Sequence, residues 1–250
     1  MPAGHRATQG WSLPDDGAGC FSRGRYLGVD LRPFLNHACA SFDRRPFAAL
    51  GHSSFPAEEL GSLPRPLVVG GVPLWLPAFC DGEPDNTRCD GQRLEVPPGR
   101  YCALAVLGAS EMGSYKEQVW LRFDAGPEAS RTLGLTRWIL PEPQFGELAA
   151  YAATHCHAPG RQVPGIQPRL WVQFIVLDPD RALIALVLPE NILMHVLALT
   201  LIRPPRGRAV GSLSRRGRPL GGLDPRPDPC CPPGCPAGPS RGVVPCPVPA

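Results

Sequence analysis

A chain of 250 residues with 43% hydrophobic residues, 33 prolines and 28 glycines is globular and turn-rich, with room for one or two domains. Its net charge of +3 is carried by residues 203–250, where eight arginines meet only Asp224 and Asp228; residues 1–202 hold 17 basic and 20 acidic side chains. A body that is slightly acidic excludes nucleic acid as the main partner, because a binder of that kind carries its basic stripe on the folded domain. Lys116 is the only lysine, so the arginines reflect a compositional preference and not a set of guanidinium sites.

Residues 1–25 show no sustained periodicity and read as a poorly ordered leader. MPAGHRATQGWSLPDDG has no apolar core of a secretory signal, so a cytoplasmic location with reduced thiols is expected. From Tyr26 to Arg203 short apolar runs alternate with turn signals, the pattern of an antiparallel β-sandwich. In GVPLWL, Val72, Leu74 and Leu76 share one face; in EQVWLRF, Val119, Leu121 and Phe123 do the same. Period two is what a half-buried strand requires. ELAAYAAT suits helix and strand equally.

Within CDGEPDNTRCDGQRLEVPPGRY (80–101) the spacing gives a loop leaving the GVPLWLP strand, and Pro97-Pro98-Gly99 reads as the turn into RYCALAVLGA. Cys80 and Cys89 lie close enough in sequence to pair, but a reducing compartment disfavours the bond. The loop lacks the residue pattern of an EF-hand, and no cofactor is expected, although its acidic groups leave room for a structural calcium bound partly by backbone carbonyls.

The apolar run at 182–202 is long enough to span a bilayer, yet Pro189-Glu190-Asn191 interrupts it. Two buried strands joined by a turn explain it better than a membrane helix. Residues 204–250 hold 13 prolines, no aromatic residue and four cysteines (Cys230, Cys231, Cys235, Cys246), the composition of a disordered tail. The organisation expected is therefore a leader (1–25), one β-sandwich (26–203) and a tail (204–250).

Candidate chemistry is sparse. His155-Cys156-His157 would project two imidazoles from one face of a strand, a spacing that suits a metal. His195, in a strand-like run, is the candidate third ligand of a cupin-like metalloenzyme. Gly108 and Ser110 begin a G-x-S-x-G elbow, but Met112 stands where the second glycine is needed. No catalytic constellation emerges, and a non-enzymatic protein is expected. Trp75 and Trp120 fall opposite the aliphatic faces of their strands, so one of them is a candidate for an exposed ring, whereas Trp138 and Trp171 belong to the core.

The ordered series FPAEEL, GVPLWLP and DN…GQ…PPGRY…LGA, set among DLRPFLNHACAS, LTRW and LDPDRALIALVLP…MHVLALTL, resembles a bacterial galactose-binding-like β-sandwich. Such domains occur alone or appended to secreted glycoside hydrolases. The resemblance implies a jelly roll of two antiparallel sheets, non-catalytic, with a carbohydrate held on loops at one end and sometimes a structural calcium. On that reading Trp75, Asp85, Asn86 and Gln92 are the sugar-contacting residues. The alternatives are the His155/His157/His195 metalloenzyme and a purely structural or partner-binding sandwich.

Overall fold

The computed structural model describes residues 20–42, 52–80 and 82–205. Most of the expected leader and the cysteine-bearing tail lie outside them. The chain is already a strand at β1 (Cys20–Arg23), which pairs with β2 (Tyr26–Val29). Strands β3 (Ala40–Ser41) and β4 (Phe55–Pro56) pair in parallel and lead into α1 (Ala57–Ser62), the one α-helix among the described residues. β5 (Leu67–Val69) and β6 (Val72–Leu74) form a hairpin. Its turn, Gly70-Gly71, has φ values of 58° and 78°, a left-handed pair that glycine adopts without strain.

Strands β7 (Thr87–Arg88), β8 (Arg93–Arg100), β9 (Ala103–Ser110), β10 (Tyr115–Phe123) and β11 (Ala129–Leu135) follow. After β12 (Leu148–Ala152), a small hairpin of β13 (Cys156–Ala158) and β14 (Arg161–Val163) precedes β15 (Arg169–Val176), β16 (Ala182–Val187) and β17 (Met194–Ile202).

Two antiparallel sheets carry the fold. The larger runs β1-β2-β17-β9-β15-β12, with β7 on the start of β17; the smaller runs β11-β10-β16-β8. One core fills the space between them, with Leu104 and Val106 of β9 meeting Leu121, Leu133 and Leu186 of the smaller sheet. A second core lies on the other face of the larger sheet, where Ala105 and Leu107 of β9 pack beneath α1, β4 and the β5–β6 hairpin. β9 and β17 are thus covered on both sides, and every residue of β17 is buried. That double burial is why residues 182–202 look like a membrane span in the sequence. The turn expected at Pro189-Glu190-Asn191 separates β16 from β17, and among the described residues no helix is long and apolar enough to cross a membrane.

The expected all-β, antiparallel two-sheet sandwich is what the chain adopts, with two local corrections. FPAEEL includes a short helix, since Ala57 and Leu60 drop into the second core three residues apart. Pro97-Pro98-Gly99 is not the turn. β8 runs through it to Arg100, which is tolerated because β8 is the edge of the smaller sheet and a proline there leaves no ladder donor missing. The Tyr101 hydroxyl donates to the Pro97 carbonyl (2.8 Å) and fixes the corner into β9.

Candidate functional site

Three groups of residues stand out. The first is a buried polar node formed by the loop before β7. Asp85 and Asn86 have no exposed surface. The Cys39 and Ala40 amides donate to the Asp85 carboxylate at 2.8 and 3.0 Å, and Asn86 Nδ2 donates to it at 2.8 Å. Burial raises the Asp85 carboxyl above the usual aspartate range, against hydrogen bonds from Asn86, Cys39 and Ala40 that lower it. Asn86 Nδ2 also donates to the His37 carbonyl at 2.9 Å. Both Asn86 amide hydrogens are therefore committed, so its Oδ1, 3.0 Å from His195 Nδ1, accepts from that ring. His195 Nε2 lies 3.6 Å from Glu111 Oε2, and the His37 ring sits 4.7 Å from the His195 ring.

This node ties residues 37–40 to β7 and β17, and it alters how the sugar-contacting set is placed. Asp85 and Asn86 spend their polar atoms inside the protein, where no ligand offered from solvent meets them. Gln92 clips its own turn, donating to the Arg88 carbonyl and accepting from the Asp90 amide, both at 2.8 Å. Trp75 is half-buried with its ring laid on β2, so close that a Cβ on Gly28 would stand 2.5 Å from Trp75 Cε3. The four residues do not converge on one open surface. The exposed ring of the pair weighed from the sequence is Trp120, 46% exposed on the outer face of the smaller sheet, while Trp138 and Trp171 are in the core. Cys80 and Cys89 are both free thiols.

The second group joins α1 to the segment entering β13. His155 and His157 face the same way, with Cys156 turned into the second core. Their Nε2 atoms stand 3.2 Å apart, and Glu58 Oε1 lies 3.1 Å from His157 Nε2 and 3.5 Å from His155 Nε2. His157 Nδ1 is 2.9 Å from the Ser41 carbonyl oxygen, and His155 Nδ1 is 3.1 Å from Glu59 Oε1. Glu59 also accepts from Tyr151 Oη (2.7 Å), from the Thr154 amide (3.1 Å) and from the Thr154 hydroxyl. Burial acts to raise the Glu59 carboxyl, but the hydrogen bonds from Thr154 and Tyr151 outweigh it and hold the group below the usual glutamate range. The sequence pointed to the two histidines but paired them with His195, which belongs to the Asn86 node. Glu58 takes its place. Only the fold brings a residue 97 positions upstream of His155 to the pair, and no spacing rule announces it.

The third group is apolar. Phe174 and Val176 of β15 and Leu148 of β12 are 37%, 75% and 47% exposed. Val172, which shares their face, pairs with Leu148 and is fully buried in the second core. The cover formed by α1 and the short hairpins therefore stops part-way along β15. Gly70 marks its margin, since a Cβ there would touch Phe174 Cζ at 3.5 Å and Leu148 Cδ1 at 3.7 Å. A shallow groove of about 290 Å³, lined by Tyr26, Val68, Gly71 and Pro73, adjoins across the Gly70-Gly71 turn.

These features define an antiparallel β-sandwich with a third, partial layer over its larger sheet. The chain belongs to the AziU2-like β-sandwich domain family, whose sequence profile matches residues 27–204. That match bears out the β-sandwich implied by the resemblance and does not extend to a galactose-binding or carbohydrate-binding type. A search of curated proteins returns no match.

Proposed function

We propose that this domain is a non-catalytic binding module whose ligand is another protein, seated on the apolar surface of Leu148, Phe174 and Val176. The observation that carries the reading is the truncated cover over β15: three large apolar side chains continue the second core into solvent. Exposed patches of this kind, next to a groove, favour protein contacts. At about 1.5–3 kcal/mol for a fully covered apolar side chain, covering the fractions that these three still expose is worth on the order of 3 kcal/mol. That suffices for the centre of an interface, with the Val68 groove and a polar rim supplying the rest. A carbohydrate ligand, which the sequence resemblance implies, has less behind it, because Asp85 and Asn86 are interior and Gln92 is held by its own turn.

A photo-crosslinking residue placed at Val176 in the full chain, expressed in its native cell, tests the reading. One discrete adduct with a second protein is expected. A control at Thr132, on the outer face of the smaller sheet, gives none. Equal adducts from both positions, or none from Val176, overturn the proposal, and an adduct of twice the chain's own mass replaces a foreign partner by a second copy.

A further inference from the structure

We infer that Glu58, His155 and His157 form a site for one divalent transition-metal ion of the zinc or ferrous class. This stands apart from the docking surface and does not depend on it. Two independent features of the geometry point to it.

The first is the size of the donor triangle. Its edges are 3.1, 3.2 and 3.5 Å. Zinc–nitrogen and zinc–oxygen bonds of about 2.0–2.2 Å at angles between 90° and 109° place neighbouring donors about 3.0–3.4 Å apart. An ion about 2.1 Å from all three atoms would lie about 0.9 Å out of their plane, so the site needs almost no rearrangement to fill.

The second is the placement of hydrogens. The Ser41 carbonyl can only accept, so His157 carries its proton on Nδ1 and leaves a lone pair on Nε2. The Thr154 hydroxyl gives its hydrogen to Glu59, and its own lone pair, together with the Glu59 carboxylate, faces His155 Nδ1. His155 is thereby fixed in the same tautomer. Two imidazole lone pairs and a carboxylate oxygen then converge with no hydrogen between them. A single proton bridges only one of the three pairs, whereas a metal ion satisfies all three.

The surroundings are those of a metal site as well. Each imidazole donates from its far nitrogen to an oxygen acceptor, Ser41 O for one and the Glu59 carboxylate for the other, which orients the ring. Glu59 is thus a positioning residue for His155. The His157 side chain is 1% exposed, His155 15% and Glu58 44%, so the floor is dry and the carboxylate side meets solvent. Three protein donors leave at least one coordination position on that side for water or an anionic group. Two neutral imidazoles and one carboxylate suit zinc, ferrous iron, manganese or cobalt, not calcium or magnesium, which take oxygen ligands.

The test uses the full chain with Cys230, Cys231, Cys235 and Cys246 replaced by serine, so that tail thiols do not compete. After dialysis against a chelator, cobalt(II) and zinc(II) are titrated in by visible absorption and calorimetry. One equivalent is expected to bind. Glu58→Ala and His157→Ala are expected to lose at least about 100-fold in affinity, and Glu59→Gln about 10–100-fold. Glu58 is half-exposed, so Glu58→Ala should retain the wild-type circular dichroism and melting curve without metal, which separates lost ligation from lost folding. Less than a tenth of an equivalent in the parent chain overturns the inference, as does unchanged affinity in a folded Glu58→Ala/His155→Ala variant.

Discussion

Replacing Asp85 by alanine tests the interior of the sandwich most severely. The carboxylate accepts the Cys39 amide, the Ala40 amide and Asn86 Nδ2, all within 3.0 Å and all buried. Alanine leaves three donors without an acceptor. Each such orphan costs about 1–3 kcal/mol, and release of a buried charge returns part of it, so the net loss should be about 3–5 kcal/mol. For a domain of this length that lowers Tm by roughly 6–20 °C. Asp85→Asn keeps the shape but turns an amide toward one backbone N–H, and it should fall in between. The pH dependence has a definite sign. Because burial raises the Asp85 carboxyl in the folded state, the native protein binds this proton more tightly than the unfolded chain. The wild type therefore gains on Asp85→Asn as pH falls from neutral toward the ordinary aspartate value of 3.8 and loses that gain as pH rises again. Urea unfolding followed by far-ultraviolet dichroism, with both chains measured from pH 4 to pH 7, reads both effects. A loss under about 0.5 kcal/mol for Asp85→Ala would refute the claim that this residue is an internal staple.

Gly108, which in the sequence begins an incomplete nucleophile elbow, is required by the close antiparallel pairing of β9 with β17. A Cβ there would press into the His195 carbonyl oxygen and stand 3.1 Å from Leu135 Cδ1. Gly108→Ala should cost at least about 3 kcal/mol in a urea melt, and a wild-type midpoint would contradict the pairing of Val196 with Gly108. Thiol reactivity should split by burial. With the tail cysteines changed to serine, Cys80 is exposed and should alkylate in the native state. Cys39, Cys89 and Cys156 should react only on unfolding, since burial pushes the Cys89 thiol up to about 12 and raises Cys39 and Cys156 as well. A peptide-mapped time course in which Cys89 labels as fast as Cys80 would contradict the packing.

The strands were legible because the signal is local. Alternation in β10 follows from one face on the core, and the unbroken apolar runs of β9 and β17 follow from burial on both faces. α1 was not legible, since six residues are too few to display a helical period. Pro97-Pro98-Gly99 misled because whether a proline pair ends a strand depends on that strand lying at a sheet edge, which only the assembled sheet decides. Residue type also misled at Asp85 and Asn86. They look like ligand-reading groups, but the partners that absorb them lie far off in the chain: the Cys39 and Ala40 amides for Asp85, the His37 carbonyl and the His195 ring for Asn86. Two of the three members of the inferred metal site, His155 and His157, were visible as a strand-like i, i+2 spacing, whereas Glu58, like the positioning residue Glu59, reaches it through tertiary packing.

Whether a partner sits on the open face at Leu148, Phe174 and Val176 is read from the size of the native species. The tagged full chain and a Leu148→Asp/Val176→Asp variant are each recovered from the native cell and sized by light scattering, with circular dichroism as the control for folding. A heavier complex is expected for the wild type and a lone chain for the variant, with identical spectra. A folded variant that still travels in the same complex as the wild type would contradict it.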